Sequence, residues 1–244
     1  MMAAAIAIAW GLAVAAQATG AATFLHHDSL IEGGPPLPVA LAVFACAWQV
    51  MIVAMMLPSS LPLMRLFGVV AARRPRPRGL RAAFYAGYAL VWTGFGVAAF
   101  LFDVGIHTTV DSWPWLARHD WLIGGSLLVT AGAFQFTPLK YACLDRCRAP
   151  GAFLLRYYER GTRNAVGLGV RHGAYCLGCC WALMLVMFAA GVASLVWMAV
   201  LTTVMVLEKT RPIGRRLAPV VGMALIGFAT IVLAYGAYAS APHG

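Results

Sequence analysis

Charge-poor apolar runs, each close to the length that crosses a lipid bilayer, constrain this chain more than any other feature. They cover roughly residues 3–25, 39–64, 82–106, 121–139, 173–190, 192–207 and 217–239. A transmembrane helix needs about 20 predominantly apolar residues to cross a hydrocarbon layer about 30 Å thick. The 244 residues therefore have room for about seven such helices and for no extramembrane domain. Composition agrees: 62% of residues are hydrophobic and 11% charged, where a soluble domain carries roughly a quarter charged. The expected fold is all-α, a polytopic transmembrane helical bundle forming one integral membrane domain over residues 1–244. The first run has no Lys or Arg before it, unlike a signal peptide, and reads as a retained helix. The fifth and sixth runs meet near Gly191 as a tight hairpin or a pair of shallower helices.

The basic residues give the orientation. Arg65, Arg73, Arg74, Arg76, Arg78 and Arg81 flank the second connection. Lys140, Arg146, Arg148, Arg156, Arg160, Arg163 and Arg171 lie in the fourth, and Lys209, Arg211, Arg215 and Arg216 in the sixth. Of the 18 Lys and Arg, only Arg118 falls on the other side. Cytoplasmic loops carry the excess of basic residues, so the even connections are inside, the N-terminus inside and the C-terminus outside. The expected location is a bacterial cytoplasmic (inner) membrane. The net charge of +10 is thus orientation-setting; no nucleic-acid recognition motif accompanies it.

Five of the six cysteines form two groups, Cys143 and Cys147 spaced C-x3-C, and Cys176, Cys179 and Cys180 spaced C-x2-C-C. Both lie near the cytoplasmic face. Positions four apart share a helix face, so Cys143 with Cys147, and Cys176 with Cys180, can each present two sulfurs in one direction. A reducing cytoplasm favours free thiols, metal ligands or redox-active residues over structural disulfides. Lys140, Arg146, Arg148 and Arg171 are near in sequence and suit a thiolate. Cys179 is about 100° from Cys180 on a regular helix, which leaves its role as a ligand open. To bring the two groups level, the helix containing Pro138 has to bend or the segment after it has to fold back.

Met184 and Met187 continue the stripe of Cys176 and Cys180, and Met55 and Met56 lie on the second run. Thiolates followed by thioethers suit Cu(I), so these methionines are a candidate soft-metal path, although methionine is also an ordinary gap-filler. Zinc is the other metal a thiolate set admits. Cys46 reads as a small packing residue, and Glu208 and Lys209 read as a boundary pair that snorkels. His26, His27 and Asp28, with His107 and His119, are an outer imidazole and carboxylate set whose simplest reading is solvation. Pro58 with Ser59 and Ser60 marks a candidate kink. Phe153 to Tyr158 reads as an interfacial segment. No phosphate-binding glycine loop, zincin motif or carboxylate pair within a run marks the chain as an enzyme.

These residues carry a resemblance. Ala54-Met55-Met56-Leu57-Pro58-Ser59, Thr137-Pro138-Leu139-Lys140 with Cys143-Leu144 and Cys147-Arg148, and Arg171-His172-Gly173 leading to Cys176-Leu177-Gly178-Cys179-Cys180-Trp181-Ala182-Leu183-Met184 resemble the bacterial predicted metal-binding integral membrane protein family. The likeness covers roughly residues 39–216. Some members of that family are labelled copper chaperones. The resemblance implies a membrane bundle and a metal site at the cysteines. The functional expectation is Cu(I) handling, as transport or as delivery to a cuproenzyme through a copper donor or acceptor protein. Two alternatives stay open: a membrane thiol-disulfide oxidoreductase using Cys143/Cys147 and Cys176/Cys179, and a scaffold with a structural metal.

Overall fold

The structure is a computed structural model. It describes residues 2–21, 30–31, 35–190 and 194–240, without the side chains of 188–190. Among the described residues the regular structure is helical, and there is no strand. The helices are α1 (Met2–Ala18), α2 (Leu37–Ala72), α3 (Pro77–Ser112), α4 (Pro114–Ala117), α5 (Trp121–Phe134), α6 (Pro138–Arg148), α7 (Pro150–Tyr157), α8 (Thr162–Ala190), α9 (Leu195–Thr210) and α10 (Gly214–Ala239).

Four of these helices are long and apolar enough to cross a membrane: α2, α3, the stretch Thr162–Met187 of α8, and α10. A fifth span results if α5 and α6 are one bent element, their axes meeting at 63°. The other two sequence runs give shorter helices, 17 residues in α1 and 16 in α9. Residues 22–25 and the meeting point at Gly191 lie outside the described residues. Large apolar side chains remain exposed around the bundle, among them Leu90 at 64%, Phe102 at 72% and Ile231 at 66%. Such an outer surface suits lipid.

Prolines start several helices, where a missing N–H costs nothing: Pro77 opens α3, Pro138 opens α6 and Pro150 opens α7. Pro58 and Pro62 instead lie inside α2, which runs without a break from Leu37 to Ala72. The expected kink therefore does not divide this helix. The bend falls before Pro138, where Thr137 is extended and its hydroxyl accepts from the Lys140 amide. The residue before a proline is pushed out of the α region, and the capping hydroxyl restarts the helix in the new direction.

Two close helix crossings hold the bundle. In the first, α3 and α8 meet through glycines, a Cβ at Gly87 colliding with the Val166 carbonyl and one at Gly169 with the Phe84 carbonyl. In the second, α5 and α10 meet where a Cβ at Gly132 would stand 2.9 Å from the Gly222 oxygen, and one at Gly222 would stand 2.9 Å from the Gly132 oxygen. Small residues allow this approach, and in lipid close packing is a main source of helix association. The first crossing sets Tyr88 of α3 against the cysteine-bearing face of α8. Of the expected interfacial segment, α7 buries Phe153 and Leu154 while Leu155 is 91% exposed.

Candidate metal centre

Helix α8 presents one face along His172, Cys176, Cys180, Met184 and Met187, at steps of four and three. Residues so spaced stack on one side of a helix, and this side is turned inward, since Cys176, Met184 and Met187 are 0% exposed and Cys180 1%. Cys179 is also 0% exposed. Its Sγ donates to the Cys176 carbonyl at 3.1 Å, and the Cys180 Sγ donates to the same oxygen at 2.8 Å. That shared carbonyl turns two adjacent thiols back along the helix, so the 100° between them does not separate their sulfurs as far as their backbone positions suggest.

The 63° bend before Pro138 carries α6 alongside α8. Cys147 comes near enough to Cys179 for the two thiols to interact, as do Cys179 and Cys180. Cys143 is buried, with its Sγ 2.6 Å from where a Gly178 Cβ would stand. It therefore sits over the opposite side of α8 from Cys176, two residues away at about 200°. From α2, Met56 brings its Sδ to 3.7 Å from Cys180 Sγ. Met55, Met56 and Met205 are 0% exposed, and Met198 is 4% exposed. The five cysteines thus lie around one stretch of α8, and none is in a disulfide among the described residues. Among the described residues, however, no three His, Cys, Asp or Glu side chains already stand in a shell that closes on a metal ion.

A lysine occupies the middle of the thiol group instead. Lys209 of α9 is 4% exposed, and its Nζ donates to Cys176 Sγ at 3.0 Å, to Ser59 Oγ at 3.1 Å and to Cys180 Sγ at 3.8 Å. On its other side, Cys176 Sγ is 3.2 Å from the Tyr88 hydroxyl and 3.9 Å from Ser60 Oγ, and those two hydroxyls are 3.2 Å apart. Helices α2, α3, α8 and α9 therefore converge on one sulfur. An ammonium and two hydroxyl groups surround it, an environment that suits the thiolate, the form of cysteine that binds metal.

This placement corrects the sequence reading of Glu208 and Lys209 as a snorkelling pair. Glu208 is 1% exposed, with its Oε2 2.6 Å from Lys140 Nζ, and Lys140 is itself 0% exposed. The periodicity of α9 carried the signal: Met198, Leu201, Thr202, Met205, Glu208 and Lys209 are its buried face. The cationic neighbours expected from sequence proximity are engaged elsewhere. Arg148 donates to the Glu208 and Pro212 carbonyls, Arg146 reaches the Tyr157 hydroxyl at 3.4 Å, and Arg171 lies over the Tyr157 ring. Cys46, expected to be a packing residue, is exposed.

Sequence reasoning also left Tyr88 and His172 out of the site. The His172 ring lies 2% exposed among Phe84, Tyr88 and Phe153, and neither nitrogen has a hydrogen-bond partner among the described residues. Its place four residues before Cys176 was the available signal. The outer histidines do not form a site among the described residues. His107 bonds back to the Asp103 carbonyl at 3.0 Å, and His119 stacks on Trp115, while His26, His27 and Asp28 lie outside the described residues.

A family described as copper chaperone, PpoB2, matches residues 45–232. The chain belongs to this family. The matched stretch contains all five clustered cysteines, Met56, His172 and Lys209, and it leaves out α1. No curated protein and no solved structure matches the chain. The PpoB2 match agrees with the likeness carried by the cysteine motifs.

Proposed function

We propose that this chain is a membrane-embedded copper chaperone that takes Cu(I) as cargo at the thiols between α6 and α8 and passes it to a partner protein. The observation that carries the reading is the convergence of Cys147, Cys176, Cys179 and Cys180 with the Met56 thioether in a membrane helix bundle of the copper chaperone family. Cu(I) is held by two or three soft sulfur ligands, fewer than zinc's usual four. A group with no preformed larger shell therefore suits Cu(I) better than a structural zinc. Cys176, Cys180 and Met56 are the inner ligands in this reading. Cys147 and Cys179 are the adjacent pair from which the ion is exchanged, with Cys143 beside them. The Met184, Met187 and Met55 side chains extend the soft surface deeper into the bundle.

The topology proposed with this function has seven spans, the cysteines toward the cytoplasm, the N-terminus inside and the C-terminus outside, in a bacterial inner membrane. It places copper uptake on the side where a cytosolic donor would deliver it. The thiol oxidoreductase is the competing reading, favoured by the nearness of Cys147 to Cys179, because a small approach of α6 to α8 would let a disulfide form between them.

Anaerobic titration of the purified protein with Cu(I), followed by X-ray absorption, tests the proposal. Sulfur-only coordination at a stoichiometry near one per chain is the expected result. A protein that binds no Cu(I), and in which Cys147 and Cys179 cycle between dithiol and disulfide in cells, would replace it with the redox reading.

A further inference from the structure

We propose that Lys209 selects the charge of the ion, making the centre accept a monovalent soft cation and reject a divalent one. This rests on the copper reading above and deepens it. The groups around the ammonium are sulfurs and a hydroxyl: Cys176 at 3.0 Å, Cys180 at 3.8 Å and Ser59 at 3.1 Å. The nearest carboxylate in sequence, Glu208, is turned to Lys140 at 2.6 Å. Lys209 therefore faces sulfur and a hydroxyl rather than a carboxylate.

The two sulfurs that the ammonium approaches, Cys176 and Cys180, are the inner ligands of the copper reading. The Met56 thioether, 3.7 Å from Cys180 Sγ, adds a soft ligand without adding charge. An ion held by these sulfurs therefore sits close to a fixed positive charge. Each thiol that ligates gives its proton to solvent as its metal–sulfur bond forms, and no electron moves. Repulsion between two charges scales with their product, so a divalent ion meets about twice the repulsion from Lys209 that a monovalent ion meets. A buried pair of charges is screened little by salt, so Lys209 turns a set of soft donors into a filter on valence.

The full-length protein in detergent tests this with four ions: Cu(I) and Ag(I) as monovalent probes, Zn(II) and Cd(II) as divalent ones, each measured against a competing chelator. In the wild type, Ag(I) should follow Cu(I), and both divalent ions should bind weakly. Lys209→Met removes the charge and keeps much of the length; the Cu(I)-to-Zn(II) affinity ratio should fall at least about tenfold, ~1.4 kcal/mol. Lys209→Arg restores the charge and should keep the ratio within a few-fold. An unchanged ratio in Lys209→Met, an equal loss in both variants, or Cd(II) binding to the wild type as tightly as Ag(I) overturns the inference; the last needs no variant to fold. A wild type that takes neither monovalent ion overturns the copper reading together with it, whereas Cu(I) binding that ignores Lys209 overturns the inference alone.

Discussion

Lys140 Nζ stands 2.6 Å from Glu208 Oε2 with both side chains out of reach of solvent. The pair joins the first turn of α6, which carries Cys143 and Cys147, to the residue before Lys209 in α9. Removing one member of a buried pair strands the other charge and typically costs about 3–5 kcal/mol, whereas replacing both with apolar groups is often nearly neutral.

Lys140→Met should therefore lower thermal stability in detergent markedly and expose Cys147 to alkylation, since α6 loses its tie to α9. The double variant Lys140→Met/Glu208→Leu should recover most of the stability. Equal melting temperatures for the single variant and the parent would show that the pair does not hold α6 in place. Glu208 Oε1 has no hydrogen-bond partner among the described residues, so the carboxylate depends on Lys140 for its side-chain pairing.

The apolar helices of spanning length, the all-helical fold and the spacing of the cysteines are legible in the sequence because each rests on local chemistry: run length, absence of charge, spacing by three and four. Lys209 was misread for the same reason. A lysine at the end of an apolar run ordinarily snorkels to the interface, and only the tertiary convergence of α2, α3 and α8 shows that a cysteine sulfur waits for it inside. The bend was legible as a requirement of the Cys143 and Cys147 positions, and Thr137-Pro138 supplies its chemistry. The division of Cys143 from Cys176 was not legible, since spacing gives a face of each helix but not which faces meet.

The α3–α8 crossing makes a second prediction. A Cβ at Gly87 runs into the Val166 carbonyl, and one at Gly169 into the Phe84 carbonyl, both rigid backbone. Gly169→Val should push the helices apart, carry Tyr88 away from Cys176 and weaken Cu(I) binding while leaving the protein helical by circular dichroism. Gly167, whose Cβ would meet nothing within 4 Å, is the matched control, and Gly167→Ala should bind as the parent does. Equal binding by both variants would mean that the Tyr88 contact does not matter to the site.

Topology provides the third. With seventeen basic residues expected on one side, reporters fused after Arg76, Arg160 and Arg211 should read cytoplasmic, and one after Asp111 should read external. Trp113 and Trp115 are 55% and 47% exposed near Asp111, and because tryptophans gather at both membrane interfaces, the reporters and not the tryptophans assign the side. A cytoplasmic reading at Asp111 would reverse α3 and place the cysteine centre on the other face.

The cysteines separate into grades, and this is the most direct test of the centre. Cys176 is the sulfur that Lys209, Tyr88 and Ser60 surround, so Cys176→Ser should cost the most Cu(I) affinity, more than about tenfold or ~1.4 kcal/mol. Cys180→Ser should follow, because its sulfur is the one within 3.8 Å of Lys209 and 3.7 Å of Met56. Cys147→Ser removes a neighbour of Cys179 and should slow exchange with a chelator more than it lowers affinity. Cys143 sits over Gly178 on the opposite side of α8, so Cys143→Ser should bind nearly as the parent does, and exposed Cys46 should be silent. The measurement is competition of each variant with a Cu(I) chelator under anaerobic conditions, read at equilibrium and as a release rate. Parental affinity in both Cys176→Ser and Cys180→Ser would remove the centre from α8. A loss in Cys143→Ser equal to that in Cys176→Ser would instead mean that the ion is shared across the α6–α8 seam.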